Sequence, residues 1–142
     1  MKTVLFLVQT QLSSCSLLAA KFVKETDHRV LLRGTFAWQS QEMPEDSFEG
    51  ISGSAIEVEF PEFRQLQRKE LEEVQCIVVS ESAEKALIHL LKSASIKPEV
   101  ISIRDLGGKP ESELDDLLMH GETEEALNDM KQKSLTLLEK MN

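Results

Sequence analysis

Three short apolar runs constrain this chain more than any other feature. Val4-Leu5-Phe6-Leu7-Val8, Cys76-Ile77-Val78-Val79 and Val100-Ile101-Ser102-Ile103 barely alternate with polar residues. A strand with one wet face alternates, because successive side chains point to opposite sides of the sheet. A continuous apolar run instead predicts a strand covered on both faces, as in parallel sheets packed between helices.

The segments between these runs supply the covering. From about Leu12 to Asp27, the residues Cys15, Leu18, Ala19, Phe22 and Val23 fall on one helical face. Ala83, Ala86, Leu87, Leu90, Leu91 and Ala94 repeat at three- and four-residue spacing, with Ser80 or Ser82 as cap and Glu81 and Glu84 at the positive helix end. A C-terminal helical region over 111–141 starts near Ser112 and breaks at His120-Gly121. It resumes on a stripe of Leu127, Met130, Ser134, Leu137/Leu138 and Met141. That stripe suits either the chain's own sheet or a homo-oligomer seam, since both demand the same periodicity.

Two further strands are expected. Val30-Leu31-Leu32 reads as one, extending toward Phe36 and Trp38. Ile56 to Phe60 alternates strictly, so it reads as an edge strand, ended by Pro61. Between them, residues 39–53 are polar with Pro44, Gly50 and Gly53, the pattern of a mobile loop or lid. Phe63, Leu66, Leu71 and Val74 give a looser helical repeat.

The order β-α-β-loop-β-α-β-α-β-α predicts one α/β domain over residues 1–142. It has three layers: a four- or five-stranded, mainly parallel sheet with helices on both faces, flavodoxin-like or small Rossmann-like. The connection after the second strand lacks a clear helix, so one edge is expected to be antiparallel or irregular. With 41% apolar residues, no Tyr and one Trp, the core rests on Leu, Ile, Val and Ala.

The net charge of -9 is unevenly spread. Residues 1–40 carry five Lys/Arg against two acids, and the remainder carries eleven against twenty-three. This field repels polyanions and argues against nucleic-acid binding, while a local anion site in the first quarter stays open. No stretch is long enough to span a membrane. Val4–Val8 could begin a signal segment, and Leu12-Ser13-Ser14-Cys15 resembles a lipoprotein box processed at Cys15. Gln9-Thr10-Gln11, however, cuts the apolar stretch short of the roughly 7–15 residues such a segment needs. The expected location is cytoplasmic.

In an open parallel sheet, ligands collect beyond the carboxyl ends of the strands. That rule selects Thr10, Ser13 and Ser14 after the first run, Ser80 and Ser82 after the second, and Arg104, Asp105, Gly107 and Gly108 after the third. Arg33 follows the second predicted strand. The set offers hydroxyls, two arginines, a glycine pair and a helix N-terminus, which suit a small anionic or nucleotide-like ligand. The same residue types also cap helices and turn chains without any ligand.

The sequence lacks the familiar catalytic patterns. Cys15 near a helix start invites comparison with phosphatases bearing a Cys-x5-Arg loop, but Lys21 stands six places on. The residues between continue a helix, so Cys15 reads as a core thiol. No phosphate-binding or dinucleotide glycine motif is present, and the acids of a receiver domain are replaced by Gln9-Thr10 and Ser80. No cofactor is indicated. The scattered His28, His89 and His120 share no metal-ligand spacing with Cys15 or Cys76.

Eight acids between Glu111 and Asp129, with no Lys or Arg among them, read as a solvated helix surface or a face for a basic partner. Three readings follow: a ligand-binding or sensor domain, a non-catalytic interaction or oligomerisation protein using its acidic C-terminal helices, and an enzyme at the strand-end site.

Overall fold

A computed structural model of the chain describes residues 2–9, 13–35, 61–92, 94 and 97–141. The central strand is β1 (Thr3–Val8), flanked by β2 (Arg29–Gly34) and β4 (Cys76–Val79). The short β3 (Phe63–Gln65) extends the sheet beyond β2, and β5 (Glu99–Ser102) extends it beyond β4. The order is β3-β2-β1-β4-β5, and all four pairings are parallel, with Leu5 level with Leu31 and Ile77.

The uninterrupted apolar run of β1 is explained by covering on both sides. Val4, Phe6 and Val8 point into one core cluster and Leu5 and Leu7 into another, all without solvent exposure. The first cluster is closed by α1 (Ser14–Glu25), α3 (Glu111–Met119) and α4 (Thr123–Met141). The second is closed by α2 (Glu84–Leu91) and a 3-10 turn over Arg68–Glu72. Burying each Leu of β1 removes it from water at a gain of about 1.5–3 kcal/mol.

Local sequence explains how the helices begin and pack. Ser13 has extended backbone and its Oγ accepts the Ser16 amide, so it caps α1. Cys15, Leu18, Ala19 and Phe22 face inward as their spacing requires, and the Phe22 ring lies 5.7 Å from that of Phe6. The C-terminal break falls at Gly121, which has positive φ. The α4 stripe is consumed within the chain: Met130, Leu137 and Met141 are buried, and Leu127 and Leu138 pack against the same cluster.

Several expectations change. Residues 63–74 do not form a helix. Phe63–Gln65 pairs with β2, and a capping box between Gln67 and Glu70 closes only a 3-10 turn. A strand gains ladder bonds there that a helix with two buried side chains, Leu71 and Val74, could not match. The sheet edge at β3 is therefore parallel. The helix after β4 opens with a 3-10 turn over Glu81–Ala83, and Ile103 starts another after β5. Trp38, the loop over 39–53 and the alternating segment over 56–60 lie outside the described residues. Among those described, no helix is long and apolar enough to cross a membrane.

The chain moves from β1 outward to β2 and β3, then returns to β4 on the opposite side of β1. The order reverses between β1 and β4. In sheets of this kind the carboxyl ends of the two strands at such a reversal are where a site is expected.

Candidate functional site at the switch point

The end of β1 is bracketed by hydroxyl residues. The Thr35 amide donates to the Val8 carbonyl, and the Ser80 amide donates to the Leu7 carbonyl, each at 2.9 Å. Ser13 caps α1 and Ser14 begins it, while Ser80 precedes the 3-10 turn before α2 and Ser82 lies within it. The switch point thus gathers Ser13, Ser14, Ser80 and Ser82.

Two carboxylates from α3 already meet these groups. Ser80 Oγ donates to Glu111 Oε1 at 2.6 Å, and the Glu81 amide donates to Glu111 Oε2 at 2.9 Å. The Ser14 amide donates to Asp115 Oδ1 at 2.9 Å. Ser82 Oγ lies 3.1 Å from Ser80 Oγ. With the single Ser80 proton given to Glu111, that contact runs from Ser82 to Ser80. Among the described residues, two buried hydroxyls make no well-formed hydrogen bond: Thr35 Oγ1, and Ser14 Oγ, which only approaches Asp115.

The electrostatics are one-sided. Burial holds the Glu111 carboxyl above its ordinary pKa, and the bonds from Ser80 and Glu81 only partly offset this. Burial does the same to Asp115, opposed by the amide and the side chain of Ser14. Among the described residues, neither acid has an ion-pair partner. Cys15 is fully buried, and its thiol is pushed well above the usual range by burial, reinforced by Glu111 and Asp115. Cys76, at the start of β4, is pushed up to about 11, chiefly by burial. Neither thiol is primed to ionise.

The arginines do not join this site. Arg33 is buried, ion-paired to Glu70 at 2.9 Å, and donates to the Leu32 and Glu62 carbonyls. Arg104 is exposed and paired with Glu84 beyond the opposite edge of the sheet. Strands β1 and β4 lie between β2 and β5, so the two cations stand apart. Gly107 and Gly108 form a positive-φ turn fastened to α4: Lys133 Nζ donates to the Gly107 and Lys109 carbonyls at 2.7 and 2.8 Å. Asp105 is exposed in the preceding 3-10 turn. Thr10 lies outside the described residues. No group of three or more His, Cys, Asp or Glu able to hold a metal occurs among the described residues.

Glu111 and Asp115 escape the sequence reading, which places them on a solvated acidic face. A signal for them exists. Glu111, Leu114, Asp115 and Leu118 sit at i, i+3, i+4 and i+7, so the two acids belong to the same stripe as the buried leucines.

The fold recurs in solved structures. The chain is similar over 99% of its length to a low molecular weight phosphotyrosine phosphatase of Vibrio cholerae O395, over 97% of that chain, with TM-score 0.70 and 13% identity. A protein tyrosine phosphatase of Entamoeba histolytica matches over 99% of this chain and 96% of its own, with TM-score 0.71 and 9% identity. A Drosophila arginine phosphatase matches over 100% and 98%, with TM-score 0.70 and 15% identity. No protein-family model and no curated protein sequence matches. At such identities the likeness establishes the fold: a five-stranded parallel sheet between helices, of the flavodoxin-like or Rossmann-like class, shared with low molecular weight phosphatases.

Proposed function

We propose that this chain is a binding domain for a small phosphate-bearing ligand, held at the switch point between β1 and β4 and not hydrolysed through a cysteine. The observation that carries the reading is the buried Ser14 hydroxyl at the first residue of α1, which approaches Asp115 but makes no well-formed hydrogen bond among the described residues. A buried hydroxyl without a well-formed bond forfeits about 1–3 kcal/mol, which a ligand oxygen would restore. It stands at the N-terminus of a twelve-residue helix, where the dipole favours an anion and the Ser14 amide is at present taken by Asp115. The ligand would draw on Ser13, Ser14, Ser80 and Ser82. The phosphatase fold of the structural neighbours supports the choice of phosphate.

Hydrolysis through a phosphocysteine needs an activated thiol at the ligand. Residues 9–13 contain no Cys and no Arg, and both cysteines are buried with raised thiol pKa. The remaining groups bind and orient.

Titration with inorganic phosphate, followed by thermal unfolding, tests this reading. The midpoint should rise with phosphate for the natural chain and stay flat for Ser14→Ala, whose lost hydroxyl makes no well-formed hydrogen bond in the free protein. No rise at any phosphate concentration would overturn the binding reading. Release of p-nitrophenol from p-nitrophenyl phosphate, abolished by Cys15→Ser, would replace it with an enzyme.

A further inference from the structure

The donors offered to a ligand at the switch point are not empty-handed. Asp115 takes the Ser14 amide, and Glu111 takes the Ser80 hydroxyl and the Glu81 amide. We propose that α3 is a built-in competitor for this site, so that an external anion binds only by displacing the Asp115 carboxylate from the start of α1. The proposal rests on the anion-binding reading above and adds its regulation.

Three features of the geometry carry it. First, the two acids are spaced i, i+4 on one face of α3, so a single helix serves two loops that leave different strands. Leu114 and Leu118, on the same face, anchor that helix in the core and hold the carboxylates at the switch point. Second, neither carboxylate is balanced by a cation among the described residues. Each is held only by neutral donors. A buried charge without a counter-charge is poorly compensated, and such a group gives way more readily than a paired one. Third, the Ser14 hydroxyl faces the same Asp115 carboxylate that takes the Ser14 amide, without a well-formed hydrogen bond of its own among the described residues. A tetrahedral anion has enough oxygens to engage both the amide and the hydroxyl.

Displacement has an electrostatic consequence. The groups facing the two acids are Glu81 from the 3-10 turn, Asp116 on α3 itself and the Cys15 thiol of α1, with no positive group among them. An incoming dianion beside Glu111 and Asp115 is repelled unless a carboxyl takes up a proton or swings away. Anion binding should therefore be accompanied by proton uptake or by reorientation of Asp115.

Calorimetric titration with inorganic phosphate, paired with the Ser14 amide resonance, tests the proposal on the full chain. Asp115→Ala should bind at least tenfold tighter than the natural chain. Asp115→Asn should fall between, because its amide oxygen still accepts from Ser14 while the charge is gone. Sulfate, whose charge is constant over the range, should bind the natural chain more tightly as pH falls, and this dependence should be reduced in Asp115→Ala. Equal affinities with a responsive Ser14 amide would overturn the competitor role and leave the site standing. A silent Ser14 amide in both proteins would sink the anion-binding reading itself. If Asp115→Ala does not fold, Glu111→Gln carries the same comparison at the Glu81 amide.

Discussion

Two buried polar clusters, one on α4 and one on α3, are built in opposite ways. Lys133 on α4 is almost wholly buried and pairs with Asp129 at 2.6 Å. Its ammonium also reaches the Gly107 and Lys109 carbonyls, and the second Asp129 oxygen accepts the Lys109 amide at 2.8 Å. Every ammonium proton is used and the charges cancel. The α3 cluster holds Glu111 and Asp115, two acids, against neutral donors and leaves Ser14 Oγ without a well-formed hydrogen bond. A complete cluster fixes structure; an incomplete one marks where a proton or ligand can finish the pattern.

The largest expected effect tests the complete cluster. Lys133→Met strands the buried Asp129 charge and two carbonyls, and should cost about 3–5 kcal/mol in urea unfolding. A cost no larger than that of Asp115→Ala would erase the contrast between the clusters.

The glycine turn sharpens it next. Gly107→Ala meets open space and suffers only from its φ of +79°, a strain of about 1–3 kcal/mol. Gly108→Ala has a similar φ, and its new methyl would also meet Asp129 Oδ1 and Lys133 Nζ. It should be clearly the more destabilised of the two. Equal unfolding midpoints would show that the Lys133 cluster yields.

A smaller effect addresses the incomplete cluster through pH. Burial raises both α3 carboxyls, so the folded chain retains protons that the unfolded chain releases. The stability this contributes is complete below the unfolded-chain pKa values and is lost as pH rises through the raised ones. Asp115→Asn should therefore lose less stability than the natural chain as pH rises from below the ordinary carboxylate range through the raised Asp115 pKa in denaturation series. Parallel curves would mean that Asp115 is not the group responsible.

The smallest expected signal is thiol chemistry. Cys15 and Cys76 should both resist alkylation in the native protein and react on unfolding, as counted by mass spectrometry. Rapid stoichiometric labelling of Cys15 near neutral pH would restore it as a nucleophile.

The sequence carried much of the fold because its strongest signals are local. Val4–Val8 and Cys76–Val79 are apolar throughout, and only burial on both faces explains that. The break at His120-Gly121 and the α4 stripe were legible for the same reason, since the 3.6-residue period is written into one segment. The segment over 63–74 was misread as helical because its apolar spacing suits a helix, while β2 supplied a ladder that no local pattern reveals.

The sequence by itself determined that a parallel sheet would be sandwiched between helices and that hydroxyl-rich segments would leave its strands. Those facts follow from side-chain period and from where loops must emerge. Only the tertiary structure decided what those hydroxyls meet. Arg33 and Arg104 are close to strand ends in sequence terms, but the strand order sets β2, which carries Arg33, apart from β5, which Arg104 follows, and each arginine stands beside its own glutamate. Glu111 and Asp115 stand some thirty to a hundred residues from Ser80 and Ser14, with separations of 31 and 101. The burial that gives those two acids their meaning exists only once α3 has docked across the switch point.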